Sequence, residues 1–285
     1  MPADAGTISA AVAERAGVDP RGWPEHAPQG LPPDVRLEDG LTIEEAVATA
    51  LWNNPGFQVT LADLGFARAE LIDARMLRNP ILSFLFPLGP KQLEATLNWP
   101  IDALIHRPRR VAAATLDYQS IASRLVADAL GLVTSVKRAY IATATAGRRA
   151  MLARETADVA NRVRAIAEAR FKSGDISDLE SRATRAEGLI AEATARAAEH
   201  DRDLAEIGLR ALMGVSPGAP VRVTPLPDLP LQDCGDIGGL MKEALAARPD
   251  VRAAEIAVEA AGARAGLARR WFRSVLPAPR RSPAR

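Results

Sequence analysis

One cysteine, Cys234, stands in 285 residues. It has no partner for an internal disulfide and no companions for a metal site, so it reads as a small packed residue. Such sparing use of cysteine suits an oxidising periplasm without requiring one. Aromatic residues make up only 4% of the chain. A globular core is usually built round larger side chains, whereas an Ala-rich, aromatic-poor chain fits long helices in close approach. No excess of one charge exists, with 36 Lys and Arg against 35 Asp and Glu. That balance gives no reason to expect a nucleic-acid partner, which calls for a basic face. No run of 18 apolar residues is present, so no transmembrane helix is expected. The opening, MPADAGTISAAVAERAG, has an acidic residue and lacks the apolar core of a signal peptide.

Chemistry-bearing constellations are missing too. His26, His106 and His200 stand far apart, without metal-ligand spacing. There is no Gly-rich phosphate loop and no nucleophile elbow. Glu44 and Glu45 sit at a helix start, where carboxylates favour the helix dipole. The reading is therefore no enzyme, no cofactor and no metal.

What is present is helix punctuation. Residues 1–40 carry Pro20, Pro24, Pro28, Pro32 and Pro33 and read as an extended lead-in, with room for a short helix at Ile8–Ala16. Thr42 and Glu45 form a capping-box pair that opens a helix. Asn54-Pro55 stops that helix and starts another, which is expected to reach about Arg78 before Asn79-Pro80 ends it. The apolar stretch Ile81–Leu88 follows, then the turn signal Gly89-Pro90. From Gln92 the chain alternates. Leu93, Ala95, Leu97 and Trp99 share one face, while Gln92, Glu94, Thr96 and Asn98 share the other. Period two is the strand period, and two such runs round a short turn predict a β-hairpin over 81–100. Alternation suits a half-buried soluble hairpin. It also suits a barrel strand with its apolar face toward lipid and Trp99 in the interfacial girdle.

Between Pro108 and Pro217 lie 108 residues without proline. Val111, Tyr118, Leu125, Leu132 and Ala139 keep a heptad, widened by Ala122, Ala129 and Val136 and continued through Val159, Val163, Ile166 and Ala167. A helix from Arg109 to Lys172 would be ~95 Å long, so it must be part of a coiled coil or span a gap. Ser173-Gly174-Asp175 breaks it. A second heptad begins at once: Ile176, Ala183, Ile190, Ala197, Leu204 and Ala211, joined by Leu179, Ala186, Ala193, His200 and Ile207. His200 on this seam reads as a polar residue that sets register. A long antiparallel hairpin over 109–213 with its tip near Gly174 is predicted, closed by Met213-Gly214.

Five prolines mark 215–236 as a linker. The opening pattern then returns with a shift of 194 positions: Ala50, Leu51, Pro55, Ala67, Ala69, Ala74 and Arg75 meet Ala244, Leu245, Pro249, Ala261, Ala263, Ala268 and Arg269. This indicates an internal duplication. After Arg269 the sequence WFRSVLPAPRRSPAR is basic and Pro-rich and does not repeat the strands.

The order of these elements is similar to the outer-membrane efflux (TolC) family. LTIEEAVATALWNNP resembles its opening helix, and ARAELIDARMLRNPILSF its helix-to-strand passage. LNWPIDALIHRPRRVAAA resembles its strand-to-long-helix passage, and ARFKSGDISDLESRATRAE its hairpin tip. The resemblance covers roughly residues 37–273. It implies residues 41–214 as a first repeat and 237–285 as an incomplete second one, so that the chain reads as truncated. The expected fold is mainly α: a long antiparallel coiled-coil hairpin, with one β-hairpin contributing to a trimeric transmembrane barrel.

The function that the resemblance implies is a passive outer-membrane channel with a periplasmic extension. Its partners would be its own copies in a homotrimer, a periplasmic adaptor and an inner-membrane pump. Arg170, Gly174, Ile176 and Ser177 are the positions it assigns to the adaptor, and turn chemistry alone also accounts for them. Leu93, Ala95, Leu97 and Trp99 would face lipid. One strand pair per subunit gives six strands in a trimer, too few for a wide lumen. The alternatives are a soluble periplasmic coiled-coil scaffold and a non-functional gene fragment. A channel needs Leu93, Leu97 and Trp99 turned to lipid, and a scaffold needs them covered by helices.

Overall fold

A computed structural model describes residues 5–17, 30–32, 35–36, 40–77, 79–85, 94–99, 101–224 and 236–275. The elements are α1 Ala5–Ala16, α2 Ile43–Asn53, α3 Pro55–Arg75, β1 Ile81–Leu85, β2 Glu94–Asn98, α4 Ile101–Lys172, α5 Asp178–Met213, α6 Ile237–Ala247 and α7 Pro249–Val275. The fold is mainly α, with a two-stranded antiparallel sheet.

Local chemistry sets most of these boundaries. The Glu45 amide donates to Thr42 Oγ1 at 3.2 Å, and the Thr42 amide donates to Glu45 Oε2 at 2.9 Å, which completes the capping box of α2. Asn54 ends α2 in an extended conformation, the one that a following proline favours. Its Oδ1 accepts the Phe57 amide at 3.0 Å, so the same residue starts α3. α3 stops at Arg75, three residues short of the expected end.

The long helix starts at Ile101 and not at Arg109, so Pro108 lies inside it. Proline at that position has no N–H to offer the Leu104 carbonyl, which ordinarily interrupts a helix. Here the flanking chain stays helical, and Arg107 Nε donates to the Arg75 carbonyl at 2.9 Å, tying the first turns of α4 to the end of α3.

The residues divide into two compact units, one holding 1–8, 59–128 and 235–285 and the other 9–58 and 129–234. In the first, Leu64, Ala67, Leu71 and Ala74 of α3 are buried at helical spacing, as are Ala253, Ile256 and Ala260 of α7. Tyr118, Ala122 and Leu125 of α4 are buried as the heptad predicts. Ser120 Oγ donates to the Ala253 carbonyl at 3.1 Å, and Arg264 pairs with Asp117 at 3.0 Å. These contacts set α7 antiparallel to α4.

In the second unit α4 and α5 run antiparallel. Thr143 Oγ1 lies 3.2 Å from the Ala205 carbonyl, and Asn161 Nδ2 donates to Glu192 Oε1 at 2.9 Å. The buried residues along this contact are small: Ala150, Ala157 and Ala167 on α4, Gly188 and Ala195 on α5. A Cβ on Gly188 would touch the Arg164 side chain at 3.4 Å, so the helices approach closely there.

This corrects the predicted seam. Ile190 and Leu204, expected to face α4, are 66% and 67% exposed, and Leu179, Ile207, Val159, Val163 and Ile166 are exposed as well. The seam residues lie about half a turn from the contact stripe, because two residues advance a helix by ~200°. From Ala150 to the tip the helical hairpin closes on alanine and glycine and leaves its large apolar residues outside, whereas nearer its base Val136 and Tyr140 of α4 and Leu209 and Met213 of α5 are buried.

α2 packs on the far end of α5, with Ala46–Leu51 buried against a region holding Leu209 and Met213. Gly214 ends α5 with φ +65°. A Cβ there would stand 2.4 Å from the Asn53 carbonyl oxygen. Asn54 Nδ2 donates to the Leu212 carbonyl at 2.9 Å across the same junction. Nearby, Leu41 and Val223 form a parallel bridge. Tyr140, 2% exposed, points its hydroxyl at the Leu41 carbonyl at 2.8 Å, with the Thr224 carbonyl at 3.2 Å. Burial raises the Tyr140 phenol above its ordinary value of 10.0; hydrogen bonding to Thr224 opposes the shift, and the charges of Glu44 and Glu45 add to it.

The 194-residue shift reappears in the elements. α2 and α6 are both 11 residues long, starting at Ile43 and Ile237, and α3 and α7 both begin at a proline. α7 continues to Val275, past the point where the repeat in the sequence stops at Arg269.

Two outcomes test this packing. Gly214→Ala should lose about 2 kcal/mol or more in urea denaturation, because the new methyl meets backbone and φ is positive. Gly208→Ala, with open space round the new carbon, should gain up to ~1 kcal/mol from helix propensity. Equal effects would contradict the close approach. Tyr140→Phe should cost about 1–2 kcal/mol at neutral pH. The stability that wild type draws from its neutral buried phenol is whole below the unfolded value near 10. It is lost as pH climbs through the higher folded value, so the variant should show a flatter decline in alkali.

Candidate functional site

The tip of the helical hairpin is built by two capping motifs back to back. Arg170 and Lys172 lie in the last turn of α4, where cations suit the exposed carbonyls. The Asp175 amide donates to the Arg170 carbonyl at 2.9 Å, and the Gly174 amide to the Phe171 carbonyl at 3.0 Å. This is a Schellman motif, with Gly174 at φ +82° supplying the left-handed residue. Three residues on, Ser177 Oγ accepts the Glu180 amide at 3.2 Å and caps α5. Asp178 and Glu180 place negative charge in its first turn, and Asp178 pairs with Arg182 at 2.8 Å.

The four residues assigned to the tip, Arg170, Gly174, Ile176 and Ser177, are thus gathered within one reversal. Ile176 is half-buried and the other three are exposed. The turn chemistry needs Gly174 and Ser177. It does not need the Arg170 or Ile176 side chains, since Arg170 contributes only its carbonyl.

The second candidate surface is the strand pair. Its register sets Leu82 opposite Leu97 and Phe84 opposite Ala95 on one face. Ile81 opposite Asn98, Ser83 opposite Thr96 and Leu85 opposite Glu94 make the other. Every described strand residue is exposed. Leu97 is 59% and Trp99 62% exposed. Leu93 and the Gly89-Pro90 turn lie outside the described residues.

Sequence reasoning missed Leu82 and Phe84. An unbroken apolar run has no period, so only the cross-strand register reveals which of its residues join Leu97. Among the described residues no group of three or more His, Cys, Asp and Glu could hold a metal ion, and no helix is long and apolar enough to cross a membrane.

The tip makes a measurable claim. Ser177→Ala and Gly174→Ala should each cost ~1 kcal/mol of stability, whereas Ile176→Ala and Arg170→Ala should each cost under about 0.5 kcal/mol, as surface substitutions do. Thermal unfolding of the four variants reads the difference. A large loss for Arg170→Ala would show that its side chain holds the turn.

Comparison with known proteins follows from this geometry. Residues 47–215, more than half of the chain, match the family described as outer membrane efflux protein. No curated protein matches the chain. Among solved structures it is similar to a membrane protein from Pseudomonas aeruginosa, at 23% identity and TM-score 0.64, covering 82% of this chain and 59% of that one. It is similar to the outer membrane protein VceC from Vibrio cholerae at 20% identity and TM-score 0.62, covering 80% and 58%. The Campylobacter jejuni CmeC outer membrane channel gives 14% and 0.65, covering 80% and 52%. The chain therefore spans between half and three fifths of the length of the channels it resembles. At these identities the structural likeness carries the fold, and the family match carries membership. With its helical hairpin, strand pair and duplicated helix starts, the chain belongs to the outer membrane efflux protein family.

Proposed function

We propose that the chain is a subunit of an outer-membrane channel in a tripartite efflux system, a passive conduit for substrates delivered by an inner-membrane pump through a periplasmic adaptor. The observation that carries this reading is the strand pair. Its apolar face, Leu82, Phe84, Ala95 and Leu97, has no helix over it. A soluble hairpin would have to bury that face, because an isolated two-stranded sheet is marginal in water. A barrel strand turns it to lipid and its polar face to the lumen. Trp99, just past the strand end, takes the interfacial position. A soluble scaffold would need Leu97 and Trp99 covered, and both are more than half exposed.

The helical hairpin supports self-association. One exposed heptad, Leu179, Ile190, Leu204 and Ile207, runs along α5, and another, Leu152, Val159 and Ile166, along α4. Different surfaces on the two helices suit head-to-tail contact between copies, which closes into a ring. In this reading three copies pool their strands into one barrel and line a tunnel with their hairpins. The adaptor meets Arg170, Gly174, Ile176 and Ser177 at the tip, where the Arg170 and Ile176 side chains are left over by the turn itself. The channel does no chemistry, and the energy source lies in the pump.

Expression with an export signal, membrane fractionation and mild-detergent sizing test this. A detergent-extracted outer-membrane trimer is expected. Leu97→Arg should deplete the membrane fraction, since a cation on the lipid face costs ~2–4 kcal/mol at mid-depth. Thr96→Arg, on the opposite face, should be tolerated. A soluble monomer or dimer, or equal effects of the two substitutions, would sink the proposal.

A further inference from the structure

Below the strand pair the surface changes character twice within a short distance. Next to the strand ends, Met76, Leu77, Trp99, Ile101, Leu104 and Ile105 are all exposed. Immediately beyond them come cations: Arg75 and Arg109 are exposed, and Arg107 and Arg110 half-buried. The hydrogen bond from Arg107 Nε to the Arg75 carbonyl fixes these two residues at one level. The acidic residues in the same turns are Asp73 and Asp102, so arginine is in excess by two. From Ile101 to Arg109 a helix rises ~12 Å, about the depth of an interfacial headgroup layer plus the reach of an arginine side chain.

We infer that this arginine collar, Arg75 and Arg109 set by Arg107, binds the phosphate-bearing headgroups of an anionic lipid surface. The inference rests on the proposed insertion of the strand pair in a membrane and adds a partner to it. Charge complementarity selects the occupant. An acidic protein face would satisfy the arginines but would leave the apolar ring above them in water. A lipid leaflet takes both at once, acyl chains against Ile101, Leu104 and Ile105 and phosphates against the guanidinium groups, which donate bidentate hydrogen bonds to phosphate oxygens. Arg75 and Arg109 do the binding. Arg107 positions them by holding the two helices together.

The test uses the full chain, purified in mild detergent and mixed with vesicles of phosphatidylcholine alone or with phosphatidylglycerol added, then floated on a density gradient at low and high salt. Wild type should float with both vesicles and partition about tenfold better into the anionic ones, with the preference shrinking as salt screens it. Arg75→Gln with Arg109→Gln should bring the anionic partition down to the neutral one. A control pair, Arg162→Gln with Arg185→Gln on the exposed surface of the helical hairpin, changes net charge equally and should keep the preference. Equal flotation of wild type with both vesicles overturns the collar, as does loss of the preference in the control pair. Flotation with neither vesicle overturns the membrane reading itself, and the collar with it.

Discussion

A helix of 72 residues cannot be covered by one compact core, so its apolar stripe needs partners along its length, and α5, of 36 residues, is one of them. Everything in the helical hairpin follows from how that partner is supplied. Gly174 adopts the left-handed conformation that closes a Schellman motif, and Ser177 caps the returning helix. The reversal is tight, so α5 returns along α4 at close range. Close range in turn demands small residues on the contact stripe, which is where Ala150, Ala157, Gly188 and Ala195 stand. Large side chains are thereby excluded from this stripe, and Ile190 and Leu204 stand on the outer face. The hairpin satisfies its backbone internally and leaves Ile190 and Leu204 in solvent.

The other end of α5 is held by close backbone approach as well as by the burial of Leu209 and Met213. Gly214 lets the end of α2 come within contact distance, and Asn54 uses both ends of its amide, one to start α3 and one to bond the Leu212 carbonyl. Tyr140 draws the Leu41 and Thr224 carbonyls onto α4. The duplicated helix pair shows what this arrangement contributes. α6 repeats the length and the proline junction of α2, yet it buries none of its residues, whereas α2 buries six in a row.

Family membership, the exposed strand face and the outer heptads all bear on one functional picture. A strand pair that turns Leu82, Phe84 and Leu97 outward is unfavourable in water and favourable in lipid. The arginines beneath it stand where a leaflet's charge would begin. The hairpin tip, far along the same helix, carries an exposed cation and a half-buried isoleucine that the turn does not use. Lipid, sister copies and a periplasmic partner would thus meet different parts of one chain, with no reactive centre required.

Local punctuation was legible in the amino-acid sequence. The Thr42 capping box, the Asn54-Pro55 and Arg248-Pro249 junctions, the Gly174 reversal and the alternating strand all depend on residues within five positions of one another. The start of α4 was not legible, because Pro108 signals a break, and the anchoring of Arg107 to α3 that accompanies a helix through it is a tertiary contact. The side of α5 that faces α4 was not legible either. A heptad of large apolar residues shows that a helix needs a partner, but not which partner. By itself the sequence determined where helices and strands begin and turn, since those boundaries are short-range hydrogen-bond chemistry. The tertiary structure decided which stripe is buried and which is left exposed, because that choice depends on how closely two backbones separated by dozens of residues can approach.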